Sequence, residues 1–448
     1  MARLPRISVI VVSHGRPGWL ARCISSLEQL DYPSFEIIVA ADTPSLDALS
    51  RHSFQAFLKT TIVDETNISV ARNAGLDLAA GELVAFLDDD AVAEPLWLLH
   101  HARAFQTLEI SGSVGFVRGR NGISYQSAVT SVDAEGETHQ EPAGDGTAFI
   151  PRLATGRALK LIGTNCVFRR ECLDALGGFD PAYRFFNDDA DLSLRLMRSG
   201  RQAAAVPLAQ VHHSFAPSVR RTRLRSPRDL TEIGRSTAIY AMRYRGAPVD
   251  ELKDRLFARE RHRLIEHMVR GTCEPRDVAA SLKSLASGWR EGAVLAPAMP
   301  SARPHPQRKF SPAPARRHRH FVITSRYFRR RRAVKEAKNL VKQGYKASVF
   351  SFSLTIFRHH VRFLQPGIWL QSGGQFGRSV RSDQRYRWCR FADRLKEEIR
   401  RVAMVRGIGE GAAAREMDCD FRSRDNRWQA GPGAGESDCT ARKGSRDR

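Results

Sequence analysis

The chain has 448 residues, 42% of them hydrophobic, which is enough for one large core and for two domains. No stretch approaches the ~20 consecutive apolar residues of a membrane span, and Met1–Arg6 runs straight into an apolar segment with no separate signal-peptide region. Seven scattered cysteines without a CxxC pair give neither a disulfide framework nor a zinc site, so a reducing cytoplasm is expected.

The formal charge of +23 is unevenly placed. Residues 1–245 hold 27 Lys+Arg against 27 Asp+Glu, whereas residues 246–448 hold 44 against 21. A neutral half is thus followed by a basic one, which suits an anionic surface such as lipid headgroups, or equally a solvated tail.

In chain order, Ile7–Val12 is predicted as a strand, Pro17–Leu30 as a helix opened by proline, and Phe35–Ala40 as a second strand. A helix over Pro44–Leu58, a strand at Thr60–Val63, a helix over Ile68–Ala80 stopped by Gly81, and a strand at Leu83–Leu87 follow. This alternation predicts an α/β fold with a mostly parallel sheet flanked by helices, and ligands at the carboxyl ends of its strands. Residues 111–160 read as loops and short strands. A helix is predicted over Leu192–Ser199 and a strand over Gln202–Val206.

Residues 246–293 read as a helical extension and 294–318, with their prolines, as a basic linker. A strand–helix–strand pattern lies in 319–405, and 406–448 is aperiodic and expected to be disordered.

The most informative stretch is Asp88-Asp89-Asp90, at the end of the apolar run Leu83–Leu87. Three like charges at a buried strand end are costly unless a cation sits there. Carboxylates are hard ligands suited to Mg²⁺ or Mn²⁺, and through the metal to phosphate. The plain alternative is a solvated turn that caps a helix.

Ordered blocks extend the pattern: Ser8–Pro17, Phe35–Asp42, Ser69–Gly75, Gly81–Asp90, Gly163-Thr-Asn165, Gly177–Asp180, Asn187–Arg195 and Val206-Pro207 to His213. Together they resemble family 2 glycosyltransferases of the GT-A fold over residues 7–215, so residues 1–245 are expected to form the catalytic domain.

The resemblance implies the following roles. Asp90 is the metal ligand, with His213 (or neighbouring His212) helping to hold metal or diphosphate. Asp88 contacts the ribose or uridine, with Asp89 supporting it. Ser13 and Asp42 face the base, and Ala41 stands where many relatives carry a further Asp. Arg72 lies near the nucleotide, its alternative being a surface helix arginine. Asp189 is the general base for the acceptor hydroxyl, and Asn187, Asp188 or Asp189 is alternatively the cap of the following helix. Arg220, Arg221, Arg223 and Arg225 form a basic lid or a solvated charge run.

The implied activity is inverting, Mg²⁺- or Mn²⁺-dependent transfer from a UDP-, GDP- or dTDP-sugar. The acceptor is a glycan, lipid-linked or protein hydroxyl, in surface polysaccharide, glycolipid or glycoprotein synthesis. The expected place is the cytoplasm, with peripheral contact to an anionic membrane. Residues 320–350 more weakly resemble the start of a family 4 (GT-B) glycosyltransferase.

Two other classes compete. A sugar-phosphate nucleotidyltransferase would want a Lys in the turn after the first strand, which here reads Ser13-His-Gly-Arg-Pro17. A nucleic-acid binder would carry a recognisable module, and none is present, so nucleic acid is not an expected partner.

Overall fold

The computed structural model describes residues 3–409 and 414–416, apart from 217–221, 223, 225, 245–248, 296–298, 305 and 315–318. Its first half carries β1 (Ile7–Ser13), α1 (Pro17–Leu27), β2 (Phe35–Ala41), α2 (Thr43–Leu49), β3 (Leu58–Ile62), α3 (Ile68–Leu78) and β4 (Leu83–Asp88). Then come β5 (Ala91–Ala93), α4 (Trp97–Thr107), β6 (Gly112–Arg118), β7 (Tyr125–Ser127), β8 (Thr130–Val132), β9 (Thr138–Gln140) and β10 (Ala158–Leu159). The half closes with β11 (Asn165–Arg169), α5 (Arg170–Ala175), α6 (Asp188–Arg198) and β12 (Ala203–His213).

These strands build one sheet in the order β3-β2-β1-β4-β11-β6-β12-β5, with β7 added beside β6. β1 to β4 are mutually parallel, and β11 runs antiparallel between β4 and β6. Every residue of β1 and β2 is buried, because both faces are covered. Val9, Val11, Ile37 and Val39 pack with α1 and α4, and Ile10, Val12, Ile38 and Ala40 with α3 and α6. Burying either apolar layer removes several large side chains from water, each worth about 1.5–3 kcal/mol. Asn67 caps α3, its side chain accepting from Ser69 N at 3.1 Å and Val70 N at 3.2 Å.

Three expectations change. The helix predicted over Pro44–Leu58 ends at Leu49, and Leu58 already opens β3, because its pairing with Ile37 outweighs local helical spacing. The helix predicted from Leu192 starts at Asp188. Residues 111–160 also hold β6, an interior strand of the main sheet. Its glycines disguise it: a Cβ on Gly115 would lie 2.0 Å from Ala209 O, so the absent side chain lets β12 approach.

Helices α7 (Thr231–Tyr244), α8 (Asp250–Val269) and α9 (Pro275–Val294) form a small bundle beside α6. Residues 303–304 and 306–313, expected as linker, lie along the first sheet. Arg303 pairs with Asp77 at 2.6 Å, Ser311 N donates to Glu36 at 2.9 Å, and Ala313 is buried in the core.

The last unit has β13 (His320–Arg326), α10 (Arg330–Lys342), β14 (Lys346–Ser353), β15 (His360–Leu364), β16 (Ile368–Gly374), α11 (Phe391–Arg406) and β17 (Ala414–Glu416). Its sheet order is β15-β16-β14-β13-β17, parallel except for β15. The rest of the tail, expected to be disordered, lies outside the described residues.

This unit is docked on the first. Gln29 donates to Gly367 O at 2.5 Å and accepts from Trp369 Nε1 at 3.2 Å. Lys346 pairs with Asp31. Arg406 grips Glu94 with two nitrogens at 2.9 and 3.1 Å, both residues 1% exposed, while stacking over Trp369. A pair so completely dehydrated is tolerated only with this geometry and its extra hydrogen bonds. Among the described residues, no helix is long and apolar enough to cross a membrane.

Candidate active site at the carboxyl edge of the first sheet

The acidic run leaves β4 where the neighbouring β1 ends, Val12 pairing with Asp88. Its three carboxylates diverge. Asp88 accepts from Thr164 Oγ1 at 2.5 Å and lies 3.5 Å from an Arg72 nitrogen. Asp89 turns inward, accepting from Ser13 Oγ at 2.6 Å and pairing with Arg16 at 2.8 Å. Asp90 lies 3.1 Å from His213 Nε2 and accepts from Ala216 N at 2.6 Å.

Asp88, Asp90 and His213 thus converge, with one donor atom from each within 4.8 Å of the others. Their strands explain the convergence. β12 ends on His213, and β5, which begins just after Asp90, pairs with it through His213 and Ala91.

Two carboxylates and an imidazole are a donor set that fits Mg²⁺ or Mn²⁺. The imidazole is also oriented for ligation. Gln126 Oε1 lies 2.9 Å from His213 Nδ1, so a proton there satisfies the amide and leaves Nε2 facing the carboxylates. Burial works to raise the Asp90 pKa, but His213, Ala216 N and Arg16 outweigh it and hold Asp90 at about 2. Burial alone would lower His213, yet Asp90 raises it. Asp89, fully buried, is pushed up to about 7 against the pull of Arg16 and Ser13.

Arg72 is buried at 4% exposure, so it is not a surface helix arginine. It lies between the acidic run and α6, pairing with Asp188 as well as Asp88 and packing 4.9 Å from the Phe179 ring centre. Although burial works against its charge, Asp188 and Asp88 raise its pKa, and the contact with Asp188 is an ion pair. Burial in turn pushes the Asp188 carboxyl up against the pull of Arg72. Gly163 makes room for this arginine, since a Cβ there would meet Arg72 Nη2 at 2.0 Å.

α6 opens differently from the expected cap. Asn187 stands at the cap position in the left-handed region with φ 64, a conformation asparagine tolerates, and its side chain makes no capping bond. Asp188 is committed to Arg72. The Asp189 carboxylate is half-buried. Its Oδ1 accepts from Ala190 N at 2.8 Å and lies 4.0 Å from Lys160 Nζ.

At the tip of β2, Asp42 Oδ2 accepts from Gly15 N at 3.0 Å. Its other oxygen is buried with no hydrogen-bond partner among the described residues. The Ser13 hydroxyl expected to face the base is instead given to Asp89.

Two participants were not singled out from sequence, Thr164 and Arg16. Both sit inside quoted blocks, Gly163-Thr-Asn165 and Ser13–Pro17, and only the fold aims them at Asp88 and Asp89. His212, next to His213, faces the other way and lies 2.8 Å from Glu94, so the two histidines do not exchange roles. The arginines expected as a lid, Arg220, Arg221, Arg223 and Arg225, lie outside the described residues.

A family model described as "Glycosyltransferase like family 2" matches residues 5–230, half of the chain. The chain belongs to glycosyltransferase family 2. Its mostly parallel sheet flanked by helices agrees with the architecture expected from the motifs.

Among curated relatives, the O-antigen biosynthesis protein RfbC of Myxococcus xanthus is 30% identical over 226 residues, covering 47% of this chain and 18% of that protein. A beta-monoglucosyldiacylglycerol synthase of Nostoc sp. is 28% identical over 202 residues, covering 43% of this chain and 41% of the synthase. This chain therefore spans well under half of either relative. A solved mannosyltransferase of Pyrobaculum calidifontis, in complex with GDP-Man and Mn²⁺, aligns with a TM-score of 0.37 and 15% identity, over 65% of this chain and 74% of that one.

Proposed function

We propose that this family 2 enzyme transfers a sugar from a nucleotide-diphosphate donor (a UDP-, GDP- or dTDP-sugar) to a hydroxyl acceptor with inversion, using Mg²⁺ or Mn²⁺. The observation that carries the reading is the convergence of Asp88, Asp90 and His213 on one point at the carboxyl edge of the sheet. Those three residues would hold the cation. When bound, it supplies Lewis-acid stabilisation of the departing diphosphate.

The remaining residues bind, orient or move a proton. Asp42 offers its unpaired buried oxygen to the base. Asp89, fixed by Ser13 and Arg16, holds the turn that presents its two acidic neighbours. Arg72 ties Asp88 to Asp188 at the start of α6, the residue before Asp189. Asp189 takes the proton of the acceptor hydroxyl as its oxygen bonds to the anomeric carbon. The bond from that carbon to the diphosphate breaks on the opposite face, so configuration inverts in one displacement.

The names of the relatives support a glycan or lipid acceptor in surface polysaccharide or glycolipid synthesis. We place the enzyme at the cytoplasmic face of a membrane, held by its basic second half. A donor screen by nucleotide release, with UDP-, GDP- and dTDP-sugars and Mg²⁺ or Mn²⁺, tests the reading. Release from one donor, stopped by chelation, is expected. Equal release with metal chelated would overturn the metal site.

A further inference from the structure

The second sheet ends in an exposed apolar and basic surface. Its parallel strands β13, β14 and β16 are neighbours in register, so the segments that follow them leave at one edge. Those segments are 327–332, 354–358 and 376–390; the last two contact each other, and the strand ends before the first and last are bonded. Phe376 N donates to Thr355 O at 3.1 Å, Gly374 N to Phe357 O at 2.9 Å, and Arg326 to Gln375 at 2.6 Å.

Large apolar side chains at this edge point into solvent: Tyr327, Phe328, Leu354, Ile356, Phe357 and Trp388, with Phe328 76%, Phe357 70% and Trp388 79% exposed. The same three segments hold ten arginines and a single acid, Asp383, which is occupied by the backbone of Ser379 and Val380 and by Arg401. Scattered exposed apolar residues are ordinary, but a shared edge of apolar tips set among arginines is not.

We infer that this carboxyl edge of the second sheet is a membrane-docking surface, with its apolar tips entering the headgroup–acyl boundary of an anionic bilayer and its arginines pairing with lipid phosphates. This goes further than the proposed membrane contact of the basic half, and rests on that reading. Charge complementarity selects an anionic partner. The aliphatic tips Leu354 and Ile356 separate lipid from nucleic acid, because they offer no face for a base to stack on, whereas they gain by leaving water for hydrocarbon.

The edge also adjoins the catalytic unit. Val361 N donates to Asn121 O at 2.8 Å, and neighbouring Arg120 donates to the carbonyl of Ser214, next to His213. A surface docked here would bring a lipid-borne acceptor alongside the cleft.

The test uses the full chain and sedimentation with neutral phosphatidylcholine vesicles or vesicles of phosphatidylcholine with phosphatidylglycerol. Binding only to the anionic vesicles, with a blue shift of tryptophan emission, is expected. The triple variant F328S/F357S/W388S should lose roughly tenfold or more of that binding while keeping metal-dependent nucleotide binding, since none of the three lies at the catalytic site. If the wild-type chain ignores anionic vesicles, both the membrane reading and this surface fail. If it binds them and the triple variant binds equally well, the basic half adsorbs by charge alone and this surface is wrong. Tighter binding to an RNA oligonucleotide than to anionic vesicles, or self-association that the variant abolishes without any vesicle binding, would likewise overturn it.

Discussion

Two sheets in this chain are built by the same strand–helix–strand logic, yet their carboxyl edges have opposite characters. The first edge gathers Asp42, Asp88, Asp89 and Asp90, mostly buried, and each is engaged by a hydroxyl, a guanidinium, an imidazole or a backbone N–H. The second edge has exposed aromatics and arginines. Position at a strand end favours ligand binding in both. What differs is the side chains and how far the surroundings exclude water. A dehydrated acidic edge holds its groups in fixed directions, as a cation site needs. An exposed basic and apolar edge stays open to a broad surface.

The largest effect is expected at the proposed metal site. Asp90→Ala should reduce transfer by more than about 10³-fold, since electrostatic stabilisation of the leaving group is among the largest catalytic terms. Mn²⁺ titration followed by electron paramagnetic resonance should show weaker binding with the fold intact. Near-wild-type turnover would remove Asp90 from the site.

The two carboxylates of α6 should separate next. Asp189→Asn should lower kcat by about 10²–10⁴-fold with nucleotide-sugar Kd unchanged, the scale of general-base catalysis. Asp188→Asn should act through Arg72, which it would leave buried with the more distant Asp88 as its remaining carboxylate partner. A loss of stability of about 3–5 kcal/mol is expected for a broken buried pair. Donor Kd by calorimetry and Tm together tell the two apart. A dead but stable Asp188→Asn enzyme beside an active Asp189→Asn enzyme would exchange their roles.

The joint between the sheets gives the third. Arg406→Ala strands Glu94 beside His212, and should cost about 3–5 kcal/mol, read as a lower Tm. By the same reasoning, a chain ending at residue 300 exposes Glu94, Gln29 and Val92 and should be less soluble than the full chain. Unchanged Tm in Arg406→Ala would make the two units independent.

The last test is a pH dependence. Burial holds His101, bonded to Ser113 and Asn165, at about 3, and His320 at about 3. Their ordinary value is 6.5, so below it the unfolded chain binds protons that the folded chain refuses. Stability should therefore be full above pH 6.5 and fall as pH drops from there toward 3. Tm against pH for wild type and His101→Gln measures it, the variant showing the shallower slope over that window.

Much of the first sheet was legible because its strands are continuous apolar runs and its helices carry clear starts and stops, as at Pro17 and Gly81. Asp88–Asp90 and Asp42 stood out because charge at a buried strand end needs a reason, whereas His213 was marked only by the resemblance to the family. Where the sequence misled, a long-range partner decided. Leu58 became strand by pairing with Ile37, β6 hid behind glycines that β12 requires, and Asp188, one of three alternative caps, pairs with an arginine 116 residues away. No local signal aims Thr164 at Asp88, turns Asp89 toward Ser13, or places Arg406 on Glu94. Sequence patterning sets which residues must be buried and where the chain can turn. The direction of each charged side chain is set by which distant element supplies its counter-charge, and that is a property of the packed fold alone.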